Sequence, residues 1–512
     1  PGPATTVVRT RAVALTGLDG AVVEVEADLT QQTPDFRIIG LPDKSLGEAV
    51  QRVHNACANN GLSLPRRKLT VNLSPASLPK NGSGFDVAIA VAAIATELPL
   101  TRESLDATVH IGELGLDGRL RPVPGVLPAV LAAARAGIRR VVVPWANRDE
   151  AQLVRGMNVL GAVNLAEAVA FHGGSVAVPE QEPVTIGRAD HQTGEPLELA
   201  DVVGQREAVT ALIVAAAGGH HLLMSGPPGA GKTMLARRLP GILPPLDEEA
   251  ALLAASVRSL AGEAVTALCR TPPFEAPHHS ASVAALVGGG SRVIRPGAIA
   301  RAATGILFLD EAGEFPAHAL DALRQPLESG RITIHRAGAV ADFPARFQLV
   351  AATNPCPCGQ YAVPGGSCVC PPIAIRRYLG RLSGPLLDRI DIELSLRRVS
   401  VAPGRDDTGG TTTALAHTQV REARERSARR LRETPWRTNA EVSGNWLRQG
   451  PMAPPPIVRR PLDAALHRGA LTLRGYDRVL RVAWSLADLD ARPQLSVDHI
   501  GRALFLKKGI AS

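Results

Sequence analysis

The chain has 512 residues, of which 45% are hydrophobic and 20% are charged. This length exceeds what one hydrophobic core serves, and the composition excludes a disordered chain, so we expect two or three folded domains. Aromatic residues make up only 3%, which argues against base stacking as a main way of binding nucleic acid. The formal net charge of +8 suits a polyanionic partner, although a GC-rich coding bias would produce the same excess of arginine.

The sequence has no recognisable targeting or membrane segment. Its first residues do not combine a basic stretch with an apolar one, and no run approaches about 18 consecutive apolar residues. We therefore expect a cytoplasmic protein without a membrane partner. The six cysteines are too few for a disulfide scaffold in a chain of this length.

The pattern of the sequence divides the chain into three structured blocks and one linker. Residues 1–178 alternate β-rich runs with alanine-rich helical runs, which is typical of an α/β domain. Residues 179–197 are polar and have no periodicity, so we interpret them as a linker. Residues 198–400 follow the order of a nucleotide-binding α/β domain, and residues 401–512 form a helix-rich tail.

The first domain contains LPKNGSGFD (residues 78–86) ahead of the apolar run VAIAVAAIA. With GELGLDGRLRPVPGVLPAVLAAARAGIRRVVVPWAN, this stretch resembles the proteolytic domain of the Lon family, which has a ribosomal protein S5 domain 2-like fold and a Ser–Lys dyad. Laid against that pattern, the nucleophile position falls on Gly84, one residue after Ser83, and the lysine position falls on Leu127. A leucine cannot accept a proton, and Lys80 belongs to the turn itself. The resemblance therefore implies a protease-like fold without proteolysis, with a role in oligomerisation.

The strongest motif is GPPGAGKT at residues 226–233, preceded by the apolar run HLLMS. It fits the phosphate-binding pattern G-x-x-x-x-G-K-[ST] between a strand and a helix. Backbone N–H groups at the helix start are expected to cradle phosphate oxygens, with Lys232 reaching the β- and γ-phosphates of ATP and Thr233 ligating Mg²⁺. The predicted nucleotide site comprises Gly226, Pro227, Pro228, Gly229, Ala230, Gly231, Lys232, Thr233 and Met234.

Two further strands are predicted to end in catalytic residues. GILFLDE (residues 305–311) ends in two carboxylates, of which Asp310 is expected to hold Mg²⁺ through water and Glu311 to polarise the attacking water. FQLVAATN ends in Asn354, an amide that could contact the water or the γ-phosphate. An acidic pair alone is often a helix cap, but the phosphate loop upstream strengthens the catalytic interpretation.

Arg389 lies between two aspartates in GPLLDRIDIEL. Phosphoryl transfer gains from a guanidinium aimed at the developing charge, and in ring ATPases the neighbouring subunit supplies it. Arg389 is our candidate for that role. The alternative is a structural ion pair with Asp388 or Asp391.

This order of motifs resembles the AAA+ superfamily, in the helix-2-insert branch that contains the magnesium-chelatase ATPase subunit and the MCM helicases. FEAPHHSAS, GILFLDE, RITIHRAGAVADFPARFQLVAATNPCPCG and LSGPLLDRID together resemble the ComM/YifB group of Mg-chelatase-like proteins over essentially the whole chain. The resemblance implies an ATP- and Mg²⁺-dependent hexamer with a helical lid, acting as a DNA helicase in branch migration during natural transformation. It also matches Arg474 to the sensor-2 arginine of the lid, with Arg478 the less favoured choice.

Two basic elements are candidates for DNA contact. One is the predicted insert at residues 281–297, and the other is a predicted hairpin at residues 330–343. A hexamer would point both at its pore, where arginines would meet the phosphate backbone without reading bases. Contacts between subunits are the alternative role for each side chain. The candidates are Arg292, Arg295, Arg331, His335 and Arg336.

Four cysteines fall in NPCPCGQYAVPGGSCVCPP as two C-x-C pairs joined by a Gly- and Pro-rich loop. Two thiolate pairs suit a tetrahedral structural Zn²⁺, while an Fe–S cluster or two disulfides remain alternatives because C-x-C is tighter than the common C-x₂-C. Cys57 and Cys269 stand apart, and we expect both to be buried. The predicted zinc ligands are Cys356, Cys358, Cys368 and Cys370.

Three functional classes follow. The first is a DNA-translocating AAA+ ATPase whose partners are single-stranded or branched DNA, further copies of the chain in a homo-hexamer, and recombination proteins. The second is a Mg-chelatase-type ATPase that remodels a partner protein. The third, an ATP-dependent protease, is disfavoured by the missing dyad.

Overall fold

The protein has the predicted α/β architecture, with two sheet-containing domains and a helical tail. A computed structural model describes residues 7–40, 44–78, 80, 82, 84–187, 197–290, 294–336, 339–363, 365–398 and 410–508. In this part of the chain, none of the helices combines the length and apolar character needed to cross a bilayer.

The N-terminal domain is built on a mixed seven-stranded sheet in the order β3-β4-β2-β1-β5-β8-β9. Buried and exposed side chains alternate along β1 and β4, so one face of the sheet lies on the core. The all-buried helix α2 covers that face. The elements are β1 (Val8–Thr16), β2 (Asp19–Thr30), β3 (Asp35–Ile39), α1 (Lys44–Asn59), β4 (Lys68–Ser74), α2 (Asp86–Ile94), α3 (Arg102–Asp106), β5 (Thr108–His110), β6 (Glu113–Leu114), β7 (Leu120–Arg121), α4 (Val126–Arg135), β8 (Arg140–Pro144), α5 (Arg148–Gln152), β9 (Asn158–Ala162) and α6 (Leu165–Phe171).

The second domain has a five-stranded, fully parallel sheet in the order β11-β14-β17-β10-β18. Its central strands are buried along their whole length because helices cover both faces. The elements are α7 (Arg206–Gly218), β10 (Leu222–Ser225), α8 (Lys232–Ile242), α9 (Glu248–Ala261), β11 (Phe274–Glu275), α10 (Val283–Val287), β12 (Gly288–Gly289), β13 (Arg295–Pro296), α11 (Ala298–Arg301), β14 (Ile306–Leu309), α12 (Ala317–Asp321), α13 (Arg324–Ser329), β15 (Arg331–Arg336), β16 (Ala339–Pro344), β17 (Gln348–Thr353), α14 (Pro372–Leu379), α15 (Gly384–Leu387) and β18 (Ile392–Ser395).

The helical tail packs on the second domain and shares one hydrophobic core with it. In this core, Val479 and Leu480 of the tail lie with Leu222 and Ile392 of the sheet. The tail therefore packs against the second domain of its own chain, in the place expected for the predicted lid. Its helices are α16 (Thr413–Leu431), α17 (Gly444–Gln449), α18 (Pro456–His467), α19 (Leu473–Leu489) and α20 (Val497–Lys508).

The N-terminal domain contacts the second domain through α4 and α9. The Leu127 backbone N–H donates to Glu150 Oε1 at 2.9 Å and to Ser259 Oγ of α9 at 3.4 Å. Gly125 N also donates to the Ser259 carbonyl at 3.0 Å. Burial raises the pKa of Glu150 even though its hydrogen-bond partners, Ser259 among them, oppose the shift. A polar contact between buried groups therefore joins the two domains.

One ion pair with a buried carboxylate links α1 to the first residue of α2. Asp86 is fully buried, and its carboxylate accepts hydrogen bonds from Arg52 Nε at 2.6 Å, Arg52 Nη2 at 3.0 Å and Leu114 N at 3.1 Å. Burial raises the pKa of Asp86 from 3.8 to about 6, although Arg52 opposes the shift. The charged carboxylate therefore depends on Arg52 at neutral pH.

We predict that Arg52→Met destabilises the N-terminal domain by about 3–5 kcal/mol near pH 8, because it leaves a buried carboxylate without its counter-charge. The folded-state pKa of Asp86 exceeds its usual value, so its protonated form favours folding and this contribution is lost as the pH rises through about 6. Removing Arg52 raises that pKa further, and the penalty should therefore shrink near pH 5. Calorimetric unfolding of the variant at both pH values tests this, and the double variant Arg52→Met/Asp86→Asn should recover stability near pH 8. An equal penalty at the two pH values would show that packing, and not charge, explains the loss.

Candidate active site

The carboxyl ends of β10, β14 and β17 bring the predicted nucleotide-site residues together. Thr233 Oγ1 donates to Asp310 Oδ2 at 2.7 Å, and Lys232 Nζ donates to Asn354 Oδ1 at 3.0 Å. These strands are parallel neighbours, so their carboxyl ends meet at one edge of the sheet. Burial lowers the pKa of Lys232, while the carboxylates of Asp310 and Glu311 oppose the shift.

The loop after β10 has the conformation that phosphate binding requires. Gly229 and Gly231 have φ angles of 78° and 84°, and a Cβ on either would meet open space. Lys232 Nζ also donates to the carbonyls of Gly226 at 2.6 Å and Pro227 at 3.0 Å. An open cradle with a free helix N-terminus fits a polyphosphate, and the adjacent oxygens of Thr233 and Asp310 are the ligands that Mg²⁺ prefers.

Three other residues of the predicted loop have backbone roles in the structure. The Pro228 carbonyl accepts from Arg398 Nε at 3.0 Å, and the Ala230 carbonyl accepts from Gln205 Nε2 at 3.3 Å. The Met234 carbonyl accepts from Arg238 Nη1 at 3.0 Å, while the Met234 side chain is exposed on α8.

Glu311 lies directly after Asp310 and contacts His279, a residue to which the motifs above assign no role. Its backbone is left-handed, with φ 52°, and its N–H donates to Asp310 Oδ1 at 3.0 Å. Glu311 Oε2 lies 3.1 Å from Nδ1 of His279. The signal was present in FEAPHHSAS, where two histidines follow β11, a strand parallel to β14.

Arg389 and Arg474 lie at the opposite, amino edge of the sheet. Arg389 precedes β18, donates from Nη1 to the Pro385 carbonyl at 2.5 Å and forms an ion pair with Glu328. Arg474 Nη1 lies 3.5 Å from Asp388 Oδ2. Because β10 and β18 are parallel, the start of β18 is separated from the phosphate loop of the same chain by the length of the strands.

The aspartates beside Arg389 pair with other arginines. Asp388 faces Arg474, and buried Asp391 accepts from Arg478 Nη1 at 2.9 Å. Against the effect of burial, Arg478 holds the pKa of Asp391 well below its usual value. Arg389 therefore does not form the ion pair with Asp388 or Asp391 that the sequence left as an alternative. Arg478 has a structural partner, while Arg474 is 71% exposed.

Basic groups crowd this edge of the sheet. Burial and the positive charges of Arg474, Arg478 and Arg324 lower the pKa of Arg389. The Arg389 side chain is 11% exposed, and Glu328 alone forms an ion pair with it in the described part of the chain. An arriving anion would thus meet a guanidinium cluster in which Arg474 is the most accessible group.

The predicted insert and the predicted hairpin are in contact. The insert consists of α10 and the β12–β13 ladder, and the hairpin pairs β15 with β16. A Cβ on Gly288 of the insert would lie 3.0 Å from Ile334 Cδ1 of the hairpin. Ile332 and Ile334 point into the core, while Arg331 and His335 are exposed.

The five DNA-contact candidates are only partly described. Arg295 of β13 is exposed, as are Arg331 and His335 of β15. Arg292 lies outside the described residues, and the side chain of Arg336 does too.

The four cysteines after β17 converge on one point. Their sulfur atoms all lie within 4.8 Å of one another, and three of the separations are 3.4, 3.7 and 3.8 Å. Tetrahedral Zn²⁺ with Zn–S bonds of about 2.3 Å places thiolates about 3.8 Å apart. All four are free cysteines in this structure. The cluster consists of Cys356, Cys358, Cys368 and Cys370.

The cysteine loop packs on the phosphate loop, since a Cβ on Gly359 would lie 2.5 Å from Pro228 Cδ. The loop that carries the four cysteines and the loop that carries GPPGAGKT are therefore in direct contact. Of the two isolated cysteines, Cys57 is buried as predicted, and burial raises its pKa to about 12. The prediction for Cys269 was wrong, because this thiol is exposed in the loop before β11.

The positions that a Lon dyad would occupy hold no catalytic pair among the described residues. Leu127 is fully buried beneath α9, and Gly84 has no side chain. Lys80 is 1% exposed, with Nζ donating to the carbonyls of Gly40 at 2.9 Å and Pro75 at 2.5 Å. Because both hydrogen bonds of Lys80 go to backbone carbonyls, we interpret this lysine as a structural residue. Ser83 lies outside the described residues.

Three family models of the magnesium chelatase subunit ChlI match this chain. The model described as "Magnesium chelatase, subunit ChlI" matches residues 198–403. "Subunit ChlI of Mg-chelatase" matches residues 25–147, and the C-terminal model of the same subunit matches residues 410–507. Together these matches extend over both sheet domains and the lid.

Individual relatives align over nearly the full length of the chain. An uncharacterised protein of Mycobacterium tuberculosis is 49% identical over 502 residues, covering 98% of each chain. Competence protein ComM of Haemophilus influenzae is 41% identical over 492 residues, covering 95% of each. YifB of Escherichia coli is 40% identical over 503 residues, covering 97% of this chain and 96% of its own.

The N-terminal domain has a second relationship. The peroxisomal Lon protease homolog 2 of Caenorhabditis elegans is 33% identical over 145 residues, which is 27% of this chain and 18% of that protein.

The full-length matches and the geometry of the phosphate loop indicate the same family. The chain belongs to the ComM/YifB family of Mg-chelatase-like AAA+ ATPases, with a Lon-like N-terminal domain.

Proposed function

We propose that this protein is a ring-forming, hexameric ATPase motor that acts on DNA, as a helicase promoting branch migration during recombination or natural transformation. The observation that carries the proposal is the separation of the phosphate loop from Arg389 and Arg474 on opposite edges of one parallel sheet. A complete site then needs two subunits.

The residues at the carboxyl edge have distinct roles in hydrolysis. The loop amides and Lys232 bind and orient the triphosphate, and Thr233 and Asp310 would hold Mg²⁺. Mg²⁺, when bound, neutralises charge on the phosphate oxygens. Glu311 polarises the attacking water. Asn354 accepts a hydrogen bond from Lys232 and so holds this lysine beside the phosphate loop.

The arginine edge supports assembly into a ring. Arg389 is held by Pro385 and Glu328, so its guanidinium has a fixed position just beneath the surface of this edge. Arg474 is exposed beside it. In a closed ring, this edge of one subunit faces the phosphate loop of the next, where both guanidinium groups stabilise the charge that develops during phosphoryl transfer.

DNA is the proposed partner because the insert and the hairpin are packed together with their basic groups outward. Arg295, Arg331 and His335 are exposed, and these groups suit phosphates and offer no pattern for reading bases. The relative from Haemophilus influenzae is named a competence protein. Because that relative is named a competence protein, recombination proteins are further proposed partners.

A second candidate is an ATPase that remodels a partner protein, as in magnesium chelatase. The family models that match the chain carry that name. The two candidates differ in whether DNA accelerates ATP hydrolysis.

We predict that single-stranded or branched DNA stimulates ATP hydrolysis by the intact protein. Glu311→Gln should lower kcat by about 10²-fold or more, because the amide cannot polarise the attacking water, while ATP binding is retained. Steady-state hydrolysis with and without each DNA measures both effects. Hydrolysis that is indifferent to all DNA structures would exclude the motor and favour protein remodelling.

We predict that Arg389→Ala and Lys232→Ala are each inactive, with kcat lowered by about 10³-fold or more for the arginine variant. A mixture of the two should regain activity, because the intact phosphate loop of one variant meets the intact Arg389 of the other. Mixtures in equal amounts are compared with each variant alone. No recovery in assembled mixtures would place Arg389 outside the neighbouring subunit's site.

We propose that the cysteine cluster holds one structural Zn²⁺. Metal analysis of the purified protein should find one zinc and no iron per chain, and Cys368→Ser should abolish it. Because Gly359 packs on Pro228, the variant should also raise the KM for ATP. Cys269→Ser is the matched control, since that thiol is exposed and outside the cluster. Iron and sulfide in place of zinc would instead support an Fe–S cluster.

A further inference from the structure

The last helix of the tail contacts the short segment that carries Arg389. This segment links α15 to β18. Lys507 of α20 donates from Nζ to the carbonyl of Ile390, the residue after Arg389, at 2.8 Å. The same Nζ donates to Glu393 Oε1 of β18, also at 2.8 Å. One ammonium group therefore bridges the backbone beside Arg389 and the strand that follows it.

Helix α19 of the tail provides two further cations to this segment. Arg478 Nη1 donates to buried Asp391 at 2.9 Å, and Arg474 Nη1 lies 3.5 Å from Asp388. The Lys507 side chain is only 12% exposed, whereas that of Arg474 is 71% exposed. A largely buried ammonium group with two short hydrogen bonds holds its acceptors more firmly than an exposed guanidinium at 3.5 Å does.

The hydrophobic core fixes the backbone from which Lys507 reaches this segment. Leu506, the preceding residue, is buried and lies with Ile500 of α20 and Ile392 of β18 in the core that the tail shares with the sheet. A flexible lysine side chain positions its acceptors only when its own backbone is held in place. The packing of Leu506 provides that support.

The other contacts of Arg389 come from α13 and α15, on the side of the chain that precedes it. Its N–H donates to the Leu386 carbonyl at 3.0 Å, and its guanidinium contacts the Pro385 carbonyl and Glu328. Glu328 is 64% exposed, and an exposed carboxylate is a weak anchor. Lys507 therefore adds the contact that holds the backbone on the following side.

We propose that Lys507 is a positioning residue for Arg389, so that the tail of one subunit sets the position of the guanidinium which that subunit offers to its neighbour. The proposal deepens the proposed function and rests on it for the arrangement of subunits in a ring. Lys507 acts through the Ile390 backbone and does not touch the nucleotide. A displaced guanidinium stabilises the developing charge less well, while the phosphate loop of the same chain, at the opposite edge of the sheet, binds ATP as before.

The first arm of the test compares steady-state ATP hydrolysis by wild type and Lys507→Met, which keeps the length of the side chain and removes the donor. We expect kcat to fall by about 10- to 100-fold at an unchanged KM for ATP, because misplacing a group that acts in the chemical step costs rate and not binding. Lys507→Gln is measured in parallel and keeps the test open if Lys507→Met fails to fold. Arg502→Met is the matched control and should keep the wild-type kcat, since Arg502 of α20 pairs with Asp490 inside the tail at 2.6 Å.

The second arm mixes Lys507→Met with an excess of Lys232→Ala, which is inactive by itself. In mixed rings, the intact phosphate loop of a Lys507→Met chain meets the correctly held Arg389 of a Lys232→Ala chain. The activity per Lys507→Met chain should therefore rise by about threefold or more. A role of Lys507 in the nucleotide site of its own chain would give no rise. The mixture of Arg389→Ala with Lys232→Ala is the reference.

Each outcome decides the proposal. A wild-type kcat in Lys507→Met overturns it, and so does an equal loss in Arg502→Met, which would show a general weakening of α20. If the reference mixture recovers activity and the Lys507→Met mixture does not, the route through Arg389 is overturned while the proposed ring stands. If neither mixture recovers, the shared site of the proposed ring fails, and the role of Lys507 fails with it.

Discussion

The parallel direction of all five strands in the ATPase sheet is the constraint on which the site depends. Parallel strands place all their carboxyl ends at one edge, which is why the phosphate loop, Asp310 and Asn354 meet there. The same direction places the residues that precede β18 at the other edge, among them Arg389. One chain therefore carries the phosphate loop and Arg389 at opposite edges of one sheet, and this separation is the basis of the proposed ring.

The Lon-like domain uses its degenerate dyad region to contact the ATPase domain. The backbone of Leu127, at the position where a Lon enzyme has its lysine, donates to Glu150 and to Ser259 of α9. The turn between β1 and β2 approaches the hairpin, since a Cβ on Gly17 would lie 2.5 Å from the Asp342 carbonyl. A domain related to a protease thus contacts the hairpin that forms part of the proposed DNA-binding surface.

Short connections link the nucleotide site to its surroundings. Gly359 of the cysteine loop packs on Pro228, which brings the cysteine loop into contact with the phosphate loop. His279 connects Glu311 to the insert over a few residues. In both cases a residue near the nucleotide site is in direct contact with a segment that precedes or follows it in another loop.

The sequence by itself determined the features that depend on local spacing. GPPGAGKT specifies the loop that holds Lys232, and the two C-x-C pairs specify a thiolate cluster, because neighbouring residues impose the geometry. The tertiary structure decided the contacts between distant segments, including Arg389 with Glu328, His279 with Glu311, and the exposure of Cys269. Such contacts follow from strand order and from the packing of loops onto the sheet, and the spacing of residues along one segment does not define either.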